Sequence, residues 1–505
     1  MKRINALTAV SQLLWPGKDR EVWFPLGENH EKAYRSGLHP LRNCLDVFLV
    51  IVVIAFVAGC SAGSGSSPSQ TSNTTPAQTG SVYVLGTDAP LPSVVSFAVN
   101  VQNITLSDGS ATPVSILNGA QTVDFARFNG LSTLLDFNSI PTGTYTTATV
   151  TLGTATLGYL NAQTGTAPTI SSMPASLTQS VVTINLASPF VVNAGDMDAL
   201  RFDFDLRQSI QVDANGQITG QVTPTLDLKA LSASDPERYI DEFDAGVVSI
   251  DAASNSFVVQ GPHGRQYTVQ TSSNTDFANN ETIANLTTSS IIEVSGSFAP
   301  NSQTINADCL GILSQDGYWA AGLITYVTPA QGAATSLNMY VRAELPADTG
   351  LTLGQIANIN LTGSEKYFIY TMRTPLTNFF FNSSLMVPGQ HISIGGPLSG
   401  AGNSQAVTAH RIVLRHEGHA GAWVVGSTNT GNGSFQFNSN GLAGVLFNGP
   451  ITVYTTPLTT YLGGLNGLSD LGGGSAIDLR VVGLVLKDPS SGNPVFVARS
   501  VEELQ

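Results

Sequence analysis

The chain has 505 residues and a formal net charge of −14, too long for a single core of ~100–200 residues and too acidic for nucleic acid, whose phosphates require a basic face. Charged residues are only 11% of the chain against a usual ~25%, so the surface is polar through Gly, Ser, Thr and Asn rather than through ions. Three cysteines at scattered positions exclude a disulfide framework.

Residues 1–43 are mixed in polarity and form an unusually long stretch ahead of an apolar run, which points to a start codon assigned too far upstream. Arg42 supplies the positive charge expected before an export signal, although Asp46 lies close to it. From Val47 to Gly59 there is no charge, and this run falls short of the ~20 apolar residues that a spanning helix needs. It ends in Val57-Ala58-Gly59-Cys60, which resembles the lipobox of bacterial lipoproteins. The resemblance implies that the chain is cut before Cys60 and that the Cys60 thiol is acylated, giving a lipid-anchored cell-envelope protein. With Ser61 beside the lipid, it implies the outer membrane rather than the inner. Residues 1–59 hold 7 Lys/Arg and 5 Asp/Glu, leaving 14 basic against 30 acidic residues. Attachment to anionic lipid would then rest on the acyl chains alone. Residues 60–80 have no aliphatic side chain larger than Ala and read as a flexible tether, with a reach of roughly 25 Å.

From Ser81 the pattern turns to short β-type runs with alternating polarity, separated by Gly, Pro, Asn and Asp. The clearest is Leu200 to Val212, with Leu200, Phe202, Phe204 and Leu206 on one face and Arg201, Asp203, Asp205 and Arg207 as an ion ladder on the other. Ser234-Asp235-Pro236-Glu237 is a capping-box pattern that opens a short connector, residues 232–244. Thr87-Asp88-Ala89-Pro90, taken with the Phe202-Asp203-Phe204 strand, resembles bacterial domain of unknown function 4382 over residues 81–231. The resemblance implies a β-sandwich and carries no catalytic residues.

Beyond the connector three landmarks recur in order. The first follows a Thr: Thr275-Asp276-Phe277, Thr377-Asn378-Phe379 and Thr459-Thr460-Tyr461. The second is an alternating strand ending in Gly296, Gly395 or Gly483. The third is Ala307, Ala409 or Ala498, followed three residues later by an aliphatic side chain. Three modules result, at 245–313, 321–415 and 422–504. They are similar to domain of unknown function 5666, and the resemblance implies small OB-like β-barrels in tandem. The expected fold is therefore all-β and multi-domain: an N-terminal β-sandwich, then three barrels with separate cores and few contacts between them.

No G-x-S-x-G, P-loop or G-x-G-x-x-G motif occurs after Cys60. His410, His416 and His419 cluster, but His416-Glu417-Gly418-His419 lacks the one-turn spacing of a zinc helix, so a solvent-facing loop is the expectation and a metal site the alternative. Asp88, Asp196 and Asp198 are weak candidates for calcium, which needs six to eight oxygens. Phe379-Phe380-Phe381 and Tyr367-Phe368-Ile369-Tyr370 offer rings for sugar stacking, with core packing the simpler reading. No cofactor is expected. The reading is of a non-catalytic envelope protein for display, adhesion or glycan contact. The alternatives are a hydrolase whose site forms only in three dimensions, and a periplasmic scaffold binding an envelope partner by strand addition at an exposed edge.

Overall fold

The alternation that begins at Ser81 becomes strand almost everywhere in the computed structural model. It describes residues 78–504 except 90–93, 110–111, 129–131, 162–168, 214–217, 233–234, 236–237, 263, 301, 348, 371–379, 400–405, 440–445, 448 and 473–474. The leader, Val57 to Cys60 and the tether lie outside the described residues, as do Ser234, Pro236 and Glu237 of the capping-box pattern and the Thr377-Asn378-Phe379 landmark. Among the described residues helix is limited to single turns such as Leu206–Ser209, and the all-β, multi-sheet expectation holds.

In the N-terminal module, strands Thr79–Ala89, Thr133–Pro141, Met197–Asp205 and Leu226–Leu231 form one sheet. Val94–Ser107, Gly143–Asn161, Thr169–Leu177 and Val181–Val192 belong to another. Phe97, Phe125, Phe202 and Phe204 are buried together and meet edge to face or tilted, with centroids 4.9–5.5 Å apart. Burying each such ring stabilises by roughly 1.5–3 kcal/mol. The expected strand Leu200 to Val212 is corrected: it stops at Asp205, whose carboxylate accepts from Gln208 N at 2.9 Å and caps the turn Leu206–Ser209. Arg207 thus leaves the ladder and pairs with Asp478 at 3.0 Å.

The later modules share a strand order. In the first, Ile240–Asp251, Ser256–Gln260, Gln266–Gln270, Thr304–Ser314 and Ile291–Phe298 pair in turn, and the last returns to the first. Glu417–Trp423, Ser434–Ser439, Ile451–Leu462, Pro494–Glu503 and Asp478–Lys487 form a closed barrel in the same order. In both, the third strand in sequence pairs in parallel with the fifth. The second module keeps the first, second, fourth and fifth strands of this plan, but Lys366–Ile369 takes the parallel place beside Arg411–Arg415.

The landmarks have physical causes. Thr275 Oγ1 donates to the Ala307 carbonyl and Thr459 Oγ1 to the Ala498 carbonyl, each at 2.7 Å, fastening to the fifth strand the segment after the third strand in the first barrel and the third strand itself in the last. Gly296 and Gly483 sit at register shifts where a Cβ would come within 2.1 Å of Asn306 O and 2.0 Å of Val497 O. Gly395 serves a contact between modules, since a Cβ there would meet Leu313 O at 2.5 Å.

The boundaries and their isolation are corrected. The strand that opens the first barrel begins at Ile240, inside the expected connector, and Glu242 bridges to Thr133 of the N-terminal module. Arg238 Nη2 donates to Met197 O at 2.8 Å and its Nε to Tyr83 Oη at 3.0 Å, pinning the connector down. His416 alone separates strand Arg411–Arg415 from strand Glu417–Trp423. Gly418 to Gly421, expected to be an exposed linker, is buried strand paired with Leu479 to Val482. Gly317, between the first two barrel modules, lies in an exposed turn, with φ of 77°.

Candidate functional site

The densest group of ionisable side chains forms where the modules meet. Along Ile240–Asp251, Phe243 and Ala245 fill the barrel core while Asp244 turns outward, directly across the ladder from Glu293. Arg415, the last residue of its strand, reaches between them. Its Nη2 lies 2.6 Å from Glu293 Oε2, 3.1 Å from Asp244 Oδ1 and 3.5 Å from Glu242 Oε2, and its side chain is 1% exposed. Arg127 of the N-terminal module holds the other oxygen of Asp244 at 3.1 Å. The Trp319 ring centroid lies 5.4 Å from the guanidinium carbon of Arg415.

A second layer adjoins the first. Glu417 takes Arg342 Nη1 at 2.6 Å and lies 3.2 Å from His391 Nδ1, which donates to the His416 carbonyl at 2.8 Å. Arg499 of the third barrel module reaches Asp241 of the first at 3.0 Å. Each of the four modules thus contributes at least one charge.

Burial sets the protonation of these groups. Desolvation raises the Glu293 carboxyl well above its ordinary range, with Arg415 opposing and Glu242 and Asp244 adding repulsion. Glu242 is raised for the same reasons. Three carboxylates against Arg415 and Arg127 leave one excess negative charge, and a proton retained by Glu293 or Glu242 removes it. Desolvation, with Arg415 and Arg342 nearby, keeps His391 neutral. Burial also lowers His416 to about 3, helped by Arg499 and Arg415, and His419 to about 3, helped by Arg342.

The histidine cluster therefore differs from the expected solvent loop. His416 and His419 are 2% and 5% exposed, and the His419 ring packs edge to face on Phe447 and Phe496. His410 is half exposed and faces Asp316, Nδ1 to Oδ2 3.1 Å. Asp88 lies within strand Thr79–Ala89, paired through its backbone with Phe204. Asp196 closes a turn with Asn193 at 3.0 Å, while burial raises the Asp198 carboxyl against the pull of Arg238. Among the described residues no group of three His, Cys, Asp or Glu is placed to hold a metal. Of the aromatic runs, Tyr370 and Phe381 are core and Phe380 is 65% exposed. Phe368 lies under Arg411 at 3.7 Å. Cys309 is buried and forms no disulfide.

A cleft of about 140 Å³ opens between the N-terminal module and the first barrel, bordered by Asn118, Gln121, Asp136, Phe243, Arg265 and Tyr267. Asp136 accepts from Asn118 N at 2.7 Å, Asn118 Nδ2 at 3.1 Å and Phe137 N at 2.7 Å, and pairs with Arg265 at 3.2 Å. Three of these contacts fall on Oδ1 and one on Oδ2, and together they tie Asp136 into the cleft wall.

Arg415, Glu293, Asp244, Glu242 and Arg342 carry no motif that marks them in the sequence, and Glu417 stands out there only as a member of the histidine cluster. A signal was present: Ile292-Glu293-Val294 and Leu414-Arg415 place charge inside apolar strands of a chain poor in charge.

The sandwich built on Thr79–Ala89 and Met197–Asp205, with its phenylalanine core, can now be set beside known families. Residues 79–219 match the domain of unknown function DUF4382. The N-terminal module extends past the match, because Leu226–Leu231 pairs with Met197–Asp205 and completes that side of its sheet. No curated protein matches the chain.

Proposed function

We propose that this is an exported, lipid-anchored envelope protein. In this reading the DUF4382 module and three barrel modules akin to domain of unknown function 5666 form one non-catalytic body that contacts glycan or another envelope protein. The observation that carries it is the sealing of the Arg415 junction. Glu293, Asp244 and Arg415 side chains are 0%, 3% and 1% exposed, so no substrate reaches them, and the charges bind modules to one another. The repeated strand order, with its parallel third and fifth strands, supports the OB-like reading of the barrels. The uncharged run ending at Cys60 and the polar segment after it support export and anchoring, and the Ser61 position supports the outer membrane.

Palmitate labelling with membrane fractionation tests the anchor. Cys60→Ser should lose the label and either become soluble or remain an unprocessed precursor. A variant that is processed normally and stays with the membrane defeats the proposal. A glycan array on the same protein tests the ligand class, and an array without binding turns the reading to a protein partner.

A further inference from the structure

The cleft between the N-terminal module and the first barrel is bordered by hydrogen-bonding groups that the fold itself does not use. Gln121 opens strand Gln121–Asp124 and shares a face with Val123, a core residue, so its side chain is carried inward to the border of the cleft. Gln121 is 7% exposed, its Oε1 is out of contact with solvent, and its amide bonds to no described residue. A buried amide without a partner costs stability, so packing alone would favour an apolar side chain at this position.

The opposite wall supplies donors. Tyr267 packs its ring edge to face on Phe243, 5.2 Å between centroids, and its hydroxyl bonds to no described residue. Burial and the nearby Asp136 carboxylate hold that phenol above its ordinary range, so it stays protonated and can donate. Arg265 reaches Asp136 through Nε at 3.2 Å, and its two Nη groups have no described partner. Asp136 and Arg265 are the only fully charged side chains on the border, and they face each other. The walls are also fixed before anything binds: Thr133 Oγ1 donates to the Glu242 carbonyl at 2.8 Å and Ser132 N to Asp241 Oδ2 at 3.1 Å, joining the two modules beside the cleft. Preorganised walls reduce the ordering cost of binding.

We propose that this cleft binds one neutral sugar ring, the end residue of a glycan, through Gln121, Tyr267 and Arg265. Hydroxyl groups both donate and accept, as an amide set against phenol and guanidinium donors requires. The opposed charges of Asp136 and Arg265 cancel, which disfavours a free anion or cation. Leu134, Leu135 and Phe243 give the cleft an apolar side that suits the C–H face of a pyranose. At about 140 Å³ the space is less than half the ~300 Å³ at which sites for drug-sized ligands begin, so it admits a single ring and not a run of them. The assignment rests on the glycan-contact reading and gives it a place and a ligand class.

The test uses the full chain in a sugar-free detergent, with methyl glycosides of glucose, galactose, mannose and N-acetylglucosamine as neutral probes and methyl glucuronide as the charged one. Saturation-transfer NMR should show at least one neutral glycoside bound in a saturable way. Gln121→Leu removes the amide at similar volume, and Tyr267→Phe keeps the ring against Phe243. Each should weaken binding by about tenfold or more, the scale of a lost hydrogen bond to a buried group, and Gln121→Leu should not lower the melting midpoint. Phe380→Ala, at the 65% exposed ring of the aromatic run, should bind as the parent does. Unchanged affinity in either folded cleft variant overturns the proposal, as does a preference for methyl glucuronide or the absence of binding by every neutral glycoside. A parent that binds on the glycan array and loses binding only in Phe380→Ala overturns the cleft assignment while the glycan reading stands; a parent silent on both array and glycosides overturns the two together.

Discussion

Arg415→Met removes the cation on which Glu293, Asp244 and Glu242 converge and leaves a side chain of similar length in its place. Breaking a buried ion pair from one side typically costs about 3–5 kcal/mol, because the remaining charge is stranded in a low dielectric. Whole-domain stabilities are ~5–15 kcal/mol, so the loss should be visible as a large fall in urea midpoint. Trp319, which lies over Arg415, supplies the fluorescence signal. The cost should be greater at pH 8 than at pH 5, since the stranded carboxylates can take up protons in acid. Adding Glu293→Gln should recover about 1–2 kcal/mol by removing one of them. The reasoning fails if Arg415→Met stays within about 1 kcal/mol of the parent at pH 8, because the junction would then not be what holds the modules together.

Acid should weaken the fold through His416 and His419. Their folded values of about 3 lie below the unfolded ~6.5, so their contribution is complete above pH 6.5 and is lost as pH falls toward 3. The slope is up to ~1.4 kcal/mol per pH unit for each. His419→Phe, which keeps a ring against Phe447 and Phe496, should flatten the acid limb in urea titrations, and an unchanged limb refutes the assignment. The fragment Trp423 to Leu504 lacks Glu417 to Ala422, which pairs with Asp478 to Gly483; it should give no cooperative melt, whereas Glu417 to Leu504 regains closure. A cooperative melt from the shorter fragment shows that this strand is dispensable. Gly483→Ala would drive a Cβ to 2.0 Å from Val497 O, while Gly119→Ala meets nothing within 4 Å. Soluble yield should collapse for the first and stay at parent level for the second, and equal yields would remove the steric account of this landmark.

Two-residue alternation is a local property, so the phenylalanine face of Leu200 to Phe204 and the all-β class could be read directly from the sequence. The repeats were legible for a related reason. Thr275, Thr459, Gly296 and Gly483 each answer a backbone requirement that recurs wherever the same strand order recurs. Strand limits were less accessible, because His416-Glu417-Gly418-His419 looks like a polar turn until Leu479 to Gly483 pairs with it and buries it. The junction was decided by tertiary structure alone. Asp244 and Arg415 are 171 residues apart along the chain, and a charge within an apolar strand does not reveal whether water or an opposite charge awaits it. Only when separate sheets abut does the cost of desolvating Glu293 meet the field of Arg415, turning four scattered ions into the contact that joins the modules.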